Sequence, residues 1–325
     1  MERAVRRVGS AGCVMLAAFL ACGGEGGGGM KGAVRLPAVA GQFYPGGAEA
    51  LGKEVRGLLA AAPARKTDGR IVGLVSPHAG YTYSGATAAC GYALLRGRGF
   101  TRAVVLAPSH RAWFRGAALT DAAWYRTPLG DVPVDRAACD ALAKGRGYAV
   151  LPRAHEGEHS LEVQIPFLQE ALGGFTLVPI VVGEATGEDR AALAAPLRGL
   201  LDSKTVIVAS SDFTHYGADF GYLPFTADVK ENLRRLDLGA AAFIEKRDAA
   251  GFAAYVRRTG ATICGHAPVG VAIEALPAGA RGTVLDYATS GDLTGDWSHC
   301  VSYVSIAFTV PGRDGGAGMT GERGE

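Results

Sequence analysis

Apolar runs rich in β-branched residues alternate with amphipathic helical patterns from about residue 31 to residue 310. Such alternation is typical of α/β architecture, in which helices cover a central sheet. No fixed repeat and no linker divides this stretch. The pattern therefore predicts a single α/β domain whose largely parallel or mixed central sheet is flanked by helices.

Six apolar runs predict strands, and the first four are almost continuously apolar, as strands covered on both faces must be. The predicted strands are 71–76, 103–107, 177–182, 205–209, 283–288 and 301–308. Apolar positions with helical spacing predict the intervening helices. The predicted helices are 86–95, 160–172, 189–201, 229–244, 249–257 and 268–275. Residues 124–130 resemble a strand and turn, and Asp135 is expected to cap a short helix after them.

The two ends of the chain follow different patterns. Three arginines and the apolar run 11–21 lead to Cys22, which is the layout of a lipoprotein signal peptide. Alternatively, translation starts at Met30, because the codons of the glycine-rich stretch before it would resemble a bacterial ribosome-binding site. We therefore expect residues 1–29 to be a signal-like or untranslated leader, and the protein to be cytoplasmic if translation starts at Met30 or an exported lipoprotein anchored at Cys22. We expect 30–310 to fold and the polar, glycine-rich 311–325 to be a disordered tail.

Composition narrows the range of partners. Hydrophobic residues make up 48% of the chain and charged residues 20%, and the formal net charge is +2. This balance, without a run of five like charges, argues against nucleic-acid binding and against a polybasic membrane patch. The six cysteines include no CxxC pair, which favours reduced thiols over a disulfide framework. We therefore expect a small-molecule substrate, no nucleic acid, and no membrane contact unless Cys22 is lipidated.

Three predicted strands end in polar residues that can bind a metal or move a proton. His78 follows the first strand, His110 follows the second, and Asp212 and His215 follow the fourth. Ligands bind at the carboxyl ends of parallel strands, where neighbours lie about 4.8 Å apart. Isolated turn histidines are usually structural, but the repetition at three strand ends predicts one shared pocket.

Cys264 precedes a predicted helix whose first turn contains Pro268. A thiol at a helix N-terminus is expected to have a lowered pKa, and the thiolate is both a metal ligand and a nucleophile. Glu158 and His159 stand before another predicted helix, and either a role in the pocket or a solvated helix cap fits them. His155 and His299 are interpreted as surface histidines, and His266 as no more than a neighbour of the site.

These motifs resemble those of the Memo-like proteins, whose bacterial and archaeal members are called AmmeMemoRadiSam system protein B. The resemblance extends from about residue 35 to residue 308 and rests on six motifs in order. They are 37–45 (PAVAGQFYP), 77–81 (PHAGY), 108–110 (PSH), 158–162 (EHSLE), 210–215 (SSDFTH) and 262–265 (TICG).

The resemblance implies a fold similar to that of class III extradiol dioxygenases, which use non-haem iron. It also implies a metal site of His78, His110 and Cys264, with Asp212 and His215 nearby as catalytic residues beside Cys264. The expected metal is iron or copper, with zinc as a further candidate. A cysteine stands where the dioxygenases have a carboxylate, which argues against ring cleavage. The family's name adds a pathway link to a radical-SAM protein by association only.

Three functions fit these residues. The first is a metal-dependent oxidoreductase in which Asp212 or His215 acts as general base or orients a ligand. The second is a metal-free hydrolase with Cys264 as nucleophile and His215 or His78 as its base. The third is a non-enzymatic module that grips a peptide or another protein in the same pocket.

Overall fold

The structure, a computed structural model, describes residues 32–311. The predicted leader, with its alternatives of lipidation at Cys22 and a start at Met30, lies outside the described residues, as do residues 312–325 of the predicted tail. No helix within 32–311 is long and apolar enough to cross a bilayer.

The described part contains a mixed sheet of nine strands with the order β10-β12-β2-β9-β3-β8-β4-β7, and β11 pairs with β12. The bounds of these strands are β2 Arg70–Ser76, β3 Arg102–Pro108, β4 Ala117–Leu119, β7 Tyr148–Val150, β8 Thr176–Val182, β9 Thr205–Ser210, β10 His215–Gly217, β11 Arg281–Thr289 and β12 His299–Val310. Strands β2, β9, β3 and β8 run parallel, whereas β12 and β4 pair antiparallel with β2 and β8. The predicted α/β fold with a mixed central sheet is confirmed.

A smaller sheet with the order β1-β5-β6 carries the start of the described chain. Its strands are β1 Val34–Arg35, β5 Trp124–Thr127 and β6 Gly130–Pro133. The pairing of β5 with β6 closes at Thr127 and Gly130, so the predicted strand and turn over 124–130 is confirmed. Asp135 caps the short helix that follows, because its side chain accepts a hydrogen bond from the backbone N–H of Ala138.

Helices pack on the large sheet in two groups, one built around α2 and the other around α10. Helix α2 contacts α1, α6, β2 and β12, and α10 contacts α7, α9, β3 and β9. The helix bounds are α1 Ala48–Ala61, α2 Tyr81–Tyr92, α3 Arg136–Leu142, α4 Arg153–Glu156, α5 His159–Glu162, α6 Ile165–Leu172, α7 Gly187–Arg198, α8 Val229–Glu245, α9 Ala249–Thr259, α10 His266–Ala275 and α11 Ser290–Thr294. The four parallel strands are almost wholly buried between these helices and neighbouring chain.

Two predicted helices differ from the structure for local reasons. The helix predicted over 160–172 is divided into α5 and α6, because Pro166 has no N–H to donate to the carbonyl of Glu162. Helix α2 begins at Tyr81 rather than at residue 86, with Gly80 as its N-cap. The sequence prediction also left out α1, although its buried Leu51, Val55 and Leu59 have the i, i+4 spacing of an amphipathic helix.

Candidate metal centre

The candidate site lies where three adjacent parallel strands end. Strands β2, β9 and β3 are neighbours in the sheet, and Ser76 of β2 pairs with Ser210 of β9. His78 and Asp212 each follow two residues after these paired serines, and His110 follows two residues after the last residue of β3. The topology therefore brings the three predicted strand ends to one edge of the sheet.

Three imidazoles meet at this edge. One ring nitrogen from each of His78, His110 and His159 lies within 4.8 Å of those of the other two, so the cluster could hold a metal ion. The ring centroids are 5.2 Å apart for His78 and His110, and 4.7 Å apart for His110 and His159. The sequence left the role of His159 open, and the structure places its ring in the cluster rather than in a solvated cap.

Hydrogen bonding fixes the tautomer of His78. Its Nδ1 lies 2.8 Å from the hydroxyl of Ser210, and that hydroxyl donates its only proton to the carbonyl of Ser160 at 2.7 Å. The side-chain amide of Gln164 donates a hydrogen bond to the hydroxyl oxygen of Ser210. The Nδ1 of His78 must therefore be a donor, which leaves the lone pair of Nε2 free to bind. Burial, followed by the charges of neighbouring histidines such as His110, lowers the pKa of His78 well below its ordinary value.

Glu158 orients His110. The Nδ1–H of His110 donates to Oε1 of this buried carboxylate at 2.9 Å, and the backbone N–H of His110 donates to Oε2 at 2.6 Å. Ser160 adds a third N–H donor at 3.0 Å. Burial alone would raise the pKa of Glu158, but these hydrogen bonds outweigh it and lower the pKa to about 2. The carboxylate therefore stays ionised, and it leaves the Nε2 of His110 as the coordinating atom.

Cys264 approaches His78 from the turn before α10, although its sulfur does not belong to the three-histidine group. Its Sγ lies 3.2 Å from Nε2 of His78 and 3.6 Å from the carbonyl oxygen of Asp212. Gly265 allows this approach, because a Cβ there would lie 2.3 Å from the Cβ of Ser211. The distance to His78 is one at which a single metal ion can join a thiolate to an imidazole.

The predicted lowering of the Cys264 pKa is wrong for the protein without a cation at the site. Burial, followed by the negative charge of Asp212, raises the pKa of the thiol well above its ordinary value. These effects exceed the stabilisation that the first turn of α10 gives to a thiolate. Pro268 does lie in that first turn, as predicted. The neutral thiol is the favoured form until positive charge is brought to it.

Asp212 and His215 lie close to the cluster in different ways. Oδ1 of Asp212 accepts the backbone N–H of His78 at 2.7 Å and that of Ala79 at 3.3 Å, so this carboxylate shapes the turn that carries His78. His215 directs Nδ1 toward the carbonyls of Phe213 and Thr262, both at 3.0 Å. Its Nε2 is therefore left as an acceptor, as a general base requires.

The remaining histidines lie away from the cluster. His266 is exposed and hydrogen-bonds the carbonyl of Ile263, and the exposed His299 agrees with its interpretation as a surface residue. The prediction for His155 is wrong, because this side chain is buried. Its Nε2–H donates to the carbonyl of Ala118, and its Nδ1 accepts from the hydroxyl of Tyr125. Alternating polar residues around 153–159 hid this burial from the sequence pattern.

The buried His155 predicts a pH dependence of stability. Burial lowers its pKa from 6.5 to about 4. Between these pH values the unfolded chain binds a proton that the folded chain does not bind, so stability is full above pH 6.5 and falls as the pH falls toward 4. The loss is about 3 kcal/mol at most.

We expect His155→Gln to have a shallower dependence of unfolding free energy on pH across this window, measured by urea denaturation at several pH values. Equal slopes in both proteins would contradict the prediction. The other buried histidines are present in both proteins, so the difference between the slopes isolates His155.

A buried polar network holds the start of the described chain against the site. The carboxylate of Glu162 accepts from the guanidinium of Arg35, from the hydroxyl of Tyr44, and from the backbone N–H groups of Ala38 and Val39 at 2.7 and 3.0 Å. This segment places the ring of Phe43 4.9 Å from that of His159. Two of the six sequence motifs, 37–45 and 158–162, thus form one structural unit.

A mixed α/β sheet with a histidine cluster at the ends of its parallel strands, and a cysteine beside one of these histidines, defines a class of candidate metal proteins. The chain belongs to the Memo-like family, whose model, described as "Memo-like protein", matches residues 35–307.

Relatives extend over most of the folded part. A MEMO1 family protein of Methanopyrus kandleri is 37% identical over 290 residues, which cover 84% of this chain and 98% of that protein. A MEMO1 family protein of Methanosarcina acetivorans is 36% identical over 279 residues, covering 84% and 98%. The memo-1 homologue of Caenorhabditis elegans is 34% identical over 210 residues, covering 62% and 60%.

Proposed function

We propose that this Memo-like protein is a metal-dependent oxidoreductase of the non-haem type, with a centre formed by His78, His110 and Cys264. The observation that carries the proposal is the convergence of ligand atoms: the lone pair of His78 Nε2 faces the sulfur of Cys264 at 3.2 Å, and the ring of His110 adjoins that of His78. Their Nδ1 atoms are held by Ser210 and Glu158. This arrangement of an orienting partner behind each ligand is typical of metal sites.

The donor set fits the expected metals. Two imidazoles and one thiolate suit Fe(II), copper and zinc, whereas magnesium and calcium prefer oxygen ligands. Iron or copper is the metal that we propose, because either one supplies one-electron chemistry when bound, and zinc would supply Lewis acidity alone. His159 is the alternative to Cys264 as third ligand, since its nitrogen belongs to the same cluster.

The other residues of the site have separate tasks in this proposal. Asp212 positions His78 by accepting two backbone N–H groups of its turn. His215 accepts a proton at Nε2, because its Nδ1–H is directed to backbone carbonyls. The cavity of about 240 Å³ that Cys264 lines, together with Trp113 and His266, admits a small substrate beside the centre.

Metal analysis tests the proposal. After anaerobic purification, mass spectrometry is expected to find iron or copper near one ion per chain. A chelator should remove the metal together with any oxidoreductase activity. Protein that never retains a metal, and that gains none on reconstitution, would contradict the proposal.

A second function, a metal-free hydrolase, is favoured by the same 3.2 Å contact between Cys264 and His78, which has the geometry of a nucleophile and its base. Inhibition by chelators distinguishes the two functions. Iodoacetamide would abolish hydrolase activity and chelators would leave it unchanged, whereas chelators would abolish the activity of a metal enzyme.

Glu158→Gln is expected to weaken metal binding about 10–100-fold, because the neutral amide no longer holds His110 as a carboxylate does. The measurement is a competition titration with a chromophoric chelator. Glu156→Gln is the matched control, since this exposed carboxylate lies two residues away and outside the cluster. Equal affinities for both variants would show that Glu158 does not position a ligand.

A further inference from the structure

A second cavity, of about 340 Å³, lies where helices α7, α9 and α10 meet. Its lining includes Arg190, Arg257 and His266 among apolar residues such as Phe252 and Val256. None of the described residues that line it is acidic. The charged side chains that line the cavity are therefore two arginines, of which Arg190 is paired with Glu274 outside the lining.

Arg190 is placed in this cavity with most of its hydrogen-bonding capacity unused. Its side chain is only 13% exposed, and its Nε donates to Glu274 at 2.9 Å. A guanidinium has five N–H donors. Within residues 32–311 the side chain of Arg190 donates no hydrogen bond besides the one to Glu274. Such a buried, partly satisfied cation is costly unless an acceptor completes it.

The helix beneath Arg190 is built to accommodate it. A Cβ at position 270 would lie 2.8 Å from Cδ of Arg190, so Gly270 of α10 provides the space in which this side chain lies. Arg257, near the end of α9, adds an exposed guanidinium that forms no ion pair in the described part of the chain. Arg257 and the unused donors of Arg190 thus line the same cavity.

This cavity adjoins the cavity that Cys264 lines. His266 and Ala267 line both the 340 Å³ cavity and the 240 Å³ cavity that contains Cys264. Both residues belong to the first turn of α10, directly after the turn that carries the cysteine. One elongated ligand can therefore lie across this turn and occupy both cavities.

We propose that the substrate of the metal centre is a small molecule with an oxyanion group, a carboxylate or a phosphate, that binds between Arg190 and Arg257. The rest of the molecule extends past His266 to the cavity beside Cys264. Arginine pairs suit this role because their planar donors match the oxygens of both groups. The assignment of this ligand as a substrate rests on the proposed function, whereas the anion site itself does not.

Equilibrium binding to the full-length protein tests the anion site. The probes are succinate, inorganic phosphate and the uncharged succinamide, measured by calorimetry at constant ionic strength. We expect succinate or phosphate to bind and succinamide not to bind. The anion that binds more tightly identifies the oxyanion group of the substrate as a carboxylate or a phosphate. Arg257→Gln and Arg190→Gln should each weaken binding about tenfold or more, as expected for loss of a charge-assisted contact.

Arg258→Gln is the matched control. Its guanidinium lies 5.1 Å from the ring centroid of Tyr255 and does not line the cavity. Affinity should stay within about twofold of the original protein, since a charge outside the cavity is largely screened by salt. Failure of both anions to bind, or equal losses in the Arg257 and Arg258 variants, would overturn the site.

His110→Ala separates this inference from the proposed function. We expect this variant to lose metal and keep anion affinity. If the unmodified protein binds the anion but no metal, only the proposed metal centre is refuted. If the unmodified protein binds metal but neither anion, only the proposed oxyanion site is refuted.

The link between the two cavities has its own test at Cys264. In chelator-treated protein, the alkylation rates of Cys264 by iodoacetate and by the neutral iodoacetamide are compared by peptide mass spectrometry. Arg257→Gln should lower the ratio of the two rates about threefold and Arg258→Gln should not, because local positive charge concentrates the anionic reagent. An unchanged ratio would show that no ligand extends from the cations to the sulfur.

Discussion

His78→Ala is expected to reduce metal affinity by more than about 100-fold, because removing a ligand should cost more than removing the group that orients one. His78 is the ligand whose Nε2 faces Cys264, and its ring adjoins that of His110. Metal content is measured by mass spectrometry after anaerobic purification, and affinity by competition with a chelator. Circular dichroism checks that the variant folds.

Two further variants make this result specific. His299→Ala alters an exposed histidine outside the cluster and should keep full metal content. Cys264→Ser and His159→Ala distinguish the two candidates for the third ligand, since only the true ligand should cause a loss comparable to that of His78→Ala. Unchanged binding in both His78→Ala and Cys264→Ser would end the proposed centre.

Arg35→Met is expected to lower the free energy of unfolding by about 3–5 kcal/mol, because it leaves the carboxylate of Glu162 buried without its cation. The side chains of this pair are 4% and 0% exposed. Arg35 also donates to the carbonyls of His155 and Glu158, at 3.0 and 2.6 Å, and these contacts would be lost as well. Urea denaturation at neutral pH measures the change.

The exposed pair of Arg56 and Glu170 is the matched control. The Arg56 side chain is 56% exposed, so Arg56→Met should change stability by less than about 1 kcal/mol. Replacing both Arg35 and Glu162 by apolar residues should cost less than Arg35→Met alone, since no unpaired charge then remains. Similar losses for the Arg35 and Arg56 variants would show that the buried network does not hold the segment.

The sequence predicted the sheet and its polar edge better than the contacts within the site. Continuous apolar runs identify buried strands, and the rule for parallel sheets then places His78, His110 and Asp212 at one edge. The pattern could not decide the role of His159, because a residue at the start of a helix has no periodicity that distinguishes a ligand from a cap. Its position follows instead from long-range contacts with Phe43 and the other two rings.

Electrostatics was the least predictable property of the site. A helix N-terminus favours the thiolate of Cys264, but the extent of burial and the nearness of Asp212 are properties of the folded chain. His155 shows the same limit, since neighbouring polar residues suggested a surface position and tertiary packing buried it. The orienting groups Ser210, Gln164 and Glu158 likewise acquire their roles only when distant segments meet.

The most direct test is an anomalous difference map from crystals loaded anaerobically with iron or copper and measured at the absorption edge of that metal. The predicted result is one strong peak about 2.0–2.3 Å from the Nε2 atoms of His78 and His110 and from the sulfur of Cys264. A peak at another part of the molecule, or a fully loaded protein without a peak at this cluster, would contradict the assignment.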